Sequence, residues 1–299
     1  MQMPIIFVHS GWAEHLYIAT RQARLSNPDA EIVLIGDRDN RLMKWPTSHH
    51  LVDDYAVGVD RFRSNYVHRS PNPPSFETFC FERWFVVAQW MQTHDVDRAW
   101  VCDSDLMIYS NLSEVANRFT SFDLGISYIS GHSLMINRRQ TVNELCDYIN
   151  RMFEDADQRQ FFDDLFHHSP NELDRSISDM TAITHFSRSI PDRIVDLATI
   201  RDGSVLDYHI RQMDGFEGDH CKRVRWRDGK PFGYHRDHAD PIQFHTLHFQ
   251  GRAKQMIHRY ATNPDIDVWT SWLKRRTTTR LARLKRHLPK RRPSSIQAA

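Results

Sequence analysis

Two apolar runs near the start of the chain flank one helix-length segment, and this arrangement limits the fold more than any other feature. "PIIFVHS" at 4–10 and "EIVLIGD" at 31–37 are short, rich in Ile and Val, and end in polar residues, so both read as strands. Between them "WAEHLYIATRQARLSN" (12–27) places Leu16, Ile18, Ala19, Ala23 and Leu25 at roughly helical spacing. Strand, helix, strand in that order predicts a parallel pair with a crossover, and hence an α/β protein. The same alternation continues. "HRSPNPPSF" (68–76) carries three prolines and predicts a loop, and "FETFCFERWFVVAQWMQTH" (76–94) a long apolar helix. One strand is predicted over 98–108, with two more in "FDLGISYI" and "HSLMINR". A helix follows over 139–153, then short helices in "FFDDLFHH" and "SDMTAITHFS" and late strands in "RIVDLA" and "PIQFHTLHF".

The 299 residues suffice for one large domain with a substantial core. No run of about 18 apolar residues occurs, and the first strand is too short and lacks the basic flank of a signal peptide. The four cysteines, Cys80, Cys102, Cys146 and Cys221, show no CxxC spacing and predict free thiols in a reducing cytoplasm. A net charge of +1 hides an asymmetry. From Trp269 onward there are ten Lys and Arg and no acid, which leaves 29 basic against 38 acidic residues over 1–268. An acidic body argues against a nucleic-acid binder. We therefore expect a single catalytic domain over 1–268 and a basic tail over 269–299. In that tail Trp269, Trp272, Leu273, Leu281, Leu284 and Leu288 fall near one helical stripe, as in an interfacial helix on an anionic membrane surface. A peripheral position on the cytoplasmic face follows.

The segment "RAWVCDSDLMI" (98–108) sets two carboxylates, Asp103 and Asp105, in an otherwise apolar run. On one strand, residues i and i+2 face the same side, so the two acids are expected to converge at the strand's C-terminal end, where open α/β sheets bind ligands. Converging carboxylates repel unless a cation lies between them, and hard oxygen ligands suit Mg²⁺ or Mn²⁺ together with a phosphate. Late in the chain "HTLHFQGRAKQMI" (245–257) offers His248 as a nitrogen ligand. In the same stretch Gly251 allows positive φ or close backbone approach, and Lys254 is a mobile charge for a pyrophosphate oxygen.

Taken together, Asp103-Ser104-Asp105 at a strand end and the late "HFQGRAK" resemble the nucleotide-sugar-dependent glycosyltransferases of GT-A fold, nearest to the glycogenin and lipopolysaccharide galactosyltransferase group. The family's late motif runs His-Phe-x-Gly-x-x-Lys-Pro-Trp, and here Gln255 and Met256 replace its last two residues. The resemblance, over about residues 4–258, implies a mixed sheet flanked by helices, a UDP-sugar donor, a glycan or lipid-linked acceptor and a retaining reaction. It implies Asp103, Asp105 and His248 as ligands of Mn²⁺ or Mg²⁺, with Ser104 in the same motif and Gly251 and Lys254 on the diphosphate. Arg83, in the helix before the Asp-Ser-Asp run, is expected near the donor, and Ser130–Gly131 near the sugar. Asp179 is expected to face sugar or acceptor, or else to cap a helix. His9, Ser10 and Gly11 are expected near the base, and Asp37 against base or ribose.

Three other readings compete. A haloacid dehalogenase-type phosphatase uses a hydrophobic strand with DxD, but nearer the N-terminus, with Thr or Val where Met107 stands. A broader nucleotidyl- or phosphoryl-transfer enzyme would share the paired acids, and a glycan- or nucleotide-binding protein of the same fold would lack turnover. The HxxH pairs His235/His238 and His245/His248 raise zinc, yet they come without the paired cysteines typical of tetrahedral sites.

Overall fold

The computed structural model describes residues 2–41, 47–170 and 175–262. The chain divides into two compact units, Met1–Ala261 and Thr262–Ala299. The expected basic tail lies outside the described residues.

The opening strand–helix–strand forms as expected: β1 (Ile5–Val8), α1 (Glu14–Ser26) and β2 (Ile32–Gly36), with β1 and β2 parallel and every strand residue buried. A strand buried on both faces needs an unbroken apolar run, which explains why IIFV and IVLIG do not alternate. β3 (Ser48–Leu51), half-exposed and carrying two histidines, extends this edge, and α2 (Val59–Asn65) follows it. The sequence reading had neither element.

The long helix α3 (Pro74–Thr93) starts two residues before its expected start, inside the proline segment taken as a loop. Pro74 is its first residue, where the missing N–H costs nothing and the fixed φ favours the helix. Phe81, Trp84, Phe85, Val87, Trp90 and Met91 are all buried, so the helix contributes side chains to the core around most of its girth.

The largest departure is in 98–108. Two strands replace the one expected, β4 (Ala99–Cys102) and β5 (Leu106–Ile108), and they belong to different sheets. The first sheet runs β3-β2-β1-β4-β7-β6-β8, with β6 (Leu124–Ser127), β7 (Ser130–Ile136) and β8 (Ile194–Asp196). Strands β3, β2, β1 and β4 are parallel; β7 is antiparallel to β4 and to β6, which makes the sheet mixed. The helices α4 (Leu112–Ala116), α5 (Arg139–Glu154), α6 (Ala156–His168) and α7 (Asp179–Ser189) complete the fold. Helix α6 begins five residues earlier than expected because Asp155 caps it, accepting from the N–H groups of Asp157 and Gln158. Among the described residues no helix is long and apolar enough to cross a membrane, and all four cysteines are free.

The second sheet runs β10 (Arg225–Arg227), β11 (Lys230–Gly233), β12 (Ile242–His248), β5, with β9 (Ser204–Leu206) parallel to β12. In β12, His245 and His248 are three residues apart and so face opposite sides of the strand, which divides the HxxH pair. His245 Nδ1 bonds Ser110 Oγ at 2.8 Å, and Arg118 lies 3.3 Å from its Nε2.

Burial, then the charges of Arg118 and Lys230, bring His245 down to about 4. Its unfolded counterpart titrates near 6.5. The unfolded chain therefore takes up the proton first, and stability falls as pH drops from about 6.5 to 4. This group alone should remove on the order of 3 kcal/mol over that range. Urea unfolding at pH 7 and pH 4.5 should show a markedly shallower loss for His245→Gln than for the unaltered chain, and equal losses would refute the assignment.

Candidate active site

After Cys102 the chain leaves the first sheet and enters the second through one tight turn. Asp103 N–H donates to the His132 carbonyl at 2.8 Å, and Leu106 N–H closes the turn onto the Asp103 carbonyl at 3.0 Å. Asp103 and Asp105 thus converge as expected, but because of a turn and not because of strand alternation. Ser104, at the apex, is buried. Strand β12 pairs antiparallel with β5, which sets His248 opposite Leu106, and Phe249 N–H donates to the Asp105 carbonyl at 3.0 Å. The register of the second sheet therefore delivers His248 to the aspartates across 143 positions of sequence. One ligand atom from each of Asp103, Asp105 and His248 lies within 4.8 Å of the others.

The polar atoms are suited to a divalent cation. His248 Nδ1 lies 2.7 Å from the Tyr208 carbonyl, so it carries the proton and Nε2 presents a lone pair. That buried Nε2 has no hydrogen-bond partner and stands 3.4 Å from Asp105 Oδ1. Two acceptors facing each other need positive charge between them, a proton or a metal ion. Burial opposes charging His248, but Asp105 overrides it and raises the imidazole above its ordinary range. Asp105, against its own burial, is held well below the carboxylate range by His248 and Lys254. The Lys254 ammonium is 3.2 Å from Asp105 Oδ2 and 40% exposed, so it can turn toward a ligand. Gly251, at φ +61°, opens the 3₁₀ helix over Gly251–Tyr260 that carries it. A Cβ at Gly251 would meet nothing within 4 Å, so the glycine serves the backbone angle.

On the other side Arg83 bridges two acids: Nη1 to Asp103 Oδ1 at 2.5 Å and Nη2 to Asp179 Oδ2 at 2.6 Å. Asp179 is buried, accepts also from the Trp84 indole N–H at 3.2 Å, and is raised by that burial despite Arg83. It is the first residue of α7, whose N-cap is Ser178, so Asp179 itself is not the cap. Ser130 and Gly131 open β7 and are buried, with Gly131 against Trp84 and Ile183.

The β1–α1 loop forms a third wall. Asp37 Oδ2 accepts from Ser10 Oγ and Gly11 N–H, and Asn40 Nδ2 donates to the carbonyls of His9 and Gly11. Burial opposes the Asp37 charge, but these donors hold it below the usual range. Asp37 therefore braces this loop. His9 is lowered by burial and then by Lys254, in opposition to Asp105, Asp37 and Asp103, so it lies in the field of these charged groups.

Sequence reading missed the groups behind His248. The His132 ring stacks on it at 3.9 Å between centroids and 5° between planes. Asp207 Oδ2 accepts from His248 N–H at 3.1 Å, and Asp207 Oδ1 receives the buried ammonium of Lys222 at 2.6 Å. Only Asp207, at the end of the run "SVLD", carries a visible signal, an acid at a strand end.

No family model matches the chain, and no curated protein matches it. Among solved structures it is similar to the galactosyltransferase LgtC in complex with donor and acceptor sugar analogs, at 13% identity over 87% of this chain and 95% of that one, TM-score 0.48. It is similar also to mouse xyloside xylosyltransferase 1, apo form, at 11% identity over 70% and 89%, TM-score 0.47. The glycosyltransferase GlyE of Streptococcus pneumoniae TIGR4 matches at 11% identity over 92% and 64%, TM-score 0.43. At these scores the functional reading rests on the chain's own residues.

Two outcomes follow from this geometry. Arg83→Met leaves Asp103 and Asp179 without their shared cation and should cost about 3–5 kcal/mol, with part recovered in Arg83→Met/Asp179→Asn, as measured in a double-mutant cycle by urea unfolding. Gly131→Ala would bring a Cβ to 2.6 Å from the Trp84 ring and 2.7 Å from Ile183. It should cost about 1–3 kcal/mol in the same assay.

Proposed function

We propose that this chain is a metal-dependent glycosyltransferase that moves a sugar from a nucleoside-diphosphate donor, UDP-linked by the motif resemblance, to the hydroxyl of a glycan or lipid-linked acceptor. One observation carries the reading: two aspartates and a tautomer-fixed histidine converge within 4.8 Å beside a lysine able to turn outward. Asp103, Asp105 and His248 would hold Mn²⁺ or Mg²⁺, which when bound supplies Lewis-acid neutralisation of a departing diphosphate.

The chain's own groups do the rest. Lys254 exchanges its contact with Asp105 for a diphosphate oxygen and so adds positive charge where negative charge develops. Arg83, clamped between Asp103 and Asp179 and lying 4.6 Å over the Trp84 ring, presents a fixed guanidinium to the same region. Asp179 keeps that guanidinium in place and lies on the side where the sugar would sit. His9, Ser10 and Gly11, pinned by Asp37 and Asn40, offer a rigid edge to the base. Retention of anomeric configuration is what the resemblance implies, and proton NMR of the first-formed product reads it directly.

Thermal stability with UDP, GDP, CMP and ADP, each with Mn²⁺ and again with EDTA, tests the donor half. At about 100 times its dissociation constant the matching nucleotide should add about 2.7 kcal/mol. UDP should stabilise only with Mn²⁺, and Asp105→Ala should abolish the effect. Stabilisation by a phosphomonoester with Mg²⁺, and by no nucleotide, would replace this reading with phosphoryl transfer.

A further inference from the structure

The second sheet carries the aspartate turn at one edge, on β5, and ends at the other edge in the hairpin β10–β11. Asp228 and Gly229 join the two strands at φ +50° and +72°, the left-handed pair that a tight two-residue turn requires. The hairpin is therefore a defined element, and its outer strand, Arg225-Trp226-Arg227, is exposed at every residue.

Its charge sets it apart. Over 223–236 stand five exposed cations, Arg223, Arg225, Arg227, Lys230 and Arg236, and one acid, Asp228, whereas the body over 1–268 holds 29 basic against 38 acidic residues. Arg225 lies 4.4 Å over the Tyr234 ring and 3.0 Å from Glu217. Arg227 instead meets uncharged groups, the Phe232 ring at 5.5 Å and the Tyr234 hydroxyl at 3.3 Å. Stacking of this kind fixes guanidinium groups in the open, where an anion can reach them.

The strand register supplies a second observation. It sets Arg227 directly opposite Lys230. Like charges facing each other across a strand pair are destabilising, so the fold alone gains nothing from this pair. An anionic surface turns the repulsion into attraction.

The other side of β10 is aromatic. Side chains alternate along a strand, so Trp226 points away from the two arginines. It is 41% exposed, and its covered part packs edge to face on Tyr109 at 5.4 Å and 73°. The Tyr109 hydroxyl donates to the Tyr260 carbonyl at 3.0 Å, and the exposed His258 and Arg259 precede Tyr260. A half-exposed indole flanked by guanidinium groups suits the headgroup layer of a bilayer, where ring and polar rim both find partners. A long polyanion such as nucleic acid would run from the patch onto the acidic body, which repels it. A plane met edge-on by the hairpin escapes that repulsion, which fades over about 8 Å at physiological salt.

We infer that the β10–β11 hairpin is a docking surface for an anionic phospholipid bilayer, with Arg225, Arg227 and Lys230 on headgroup phosphates and Trp226 at the interface. The inference does not rest on the transferase reading, since no nucleotide or sugar enters it. The test is flotation of the full chain with vesicles of phosphatidylcholine alone and with about one-third phosphatidylglycerol, at low and high salt. Binding is expected on the anionic vesicles only, and weaker at high salt. Each cation removed should weaken it about fivefold, so Arg227→Gln/Lys230→Gln should lose about 25-fold. Trp226→Ser should weaken binding and leave its salt dependence unchanged. The double variant removes the facing like charges, so its melting temperature should equal or exceed that of the unaltered chain, which separates lost docking from lost fold. The inference is overturned if the full chain ignores anionic vesicles, or if the double variant floats as well as the unaltered chain, which would leave the contact to the basic tail. Preference of the hairpin for duplex DNA over the vesicles would overturn it as well.

Discussion

Two carboxylates brought together by a four-residue turn are the constraint around which this molecule is arranged. Left alone, Asp103 and Asp105 would repel and one would give up its charge. The chain prevents this by placing a separate cation on each, Arg83 on Asp103 and Lys254 on Asp105. The two cations come from opposite directions, one from the long buried helix of the first half and one from the segment after the last strand. Each is placed by packing that precedes any ligand. Helix α3 fills the core with Phe81, Trp84, Phe85, Val87, Trp90 and Met91, and Arg83 extends from the same helix.

Much of this was legible in the sequence. The opening strands, the long helix and the late strand with His248 are marked by unbroken apolar runs, which in a chain of this size signal burial. The Asp-Ser-Asp and HFQGRAK segments pointed to the four residues that the fold brings together, Asp103, Asp105, His248 and Lys254, because short carboxylate and histidine spacings survive without knowledge of the fold. The reason given for the convergence of the aspartates was mistaken. Residues 98–108 look like one strand because both halves are apolar, and nothing in the letters marks a change of sheet at Asp103. The proline segment misled in another way: Pro74 both ends a loop and begins a helix, and composition alone favours the loop.

The groups that hold His248 were hidden for a different reason. His132, near the start of β7, and Asp207 and Lys222 are distant from it in sequence, and meet it only through the pairing of β9 with β12 and the packing of β7. A buried lysine next to a buried aspartate leaves no local pattern, since each alone reads as a surface charge. Burying such a pair carries a desolvation cost, which a direct contact at 2.6 Å and a backbone donor to the second oxygen offset.

Asp103, Asp105 and His248 have one trait in common: each is fastened through its main chain. Asp103 donates its N–H to His132, Asp105 accepts from Phe249 N–H, and the His248 carbonyl accepts from Ile210 N–H. Bonds of this kind do not depend on which side chains surround them. A site pinned in this way can keep its shape while neighbouring residues are exchanged, provided that the strands still pair. Its geometry is held by the weave of the chain more than by its lettering, so a protein of this kind can travel far in sequence and still present the same three ligand atoms.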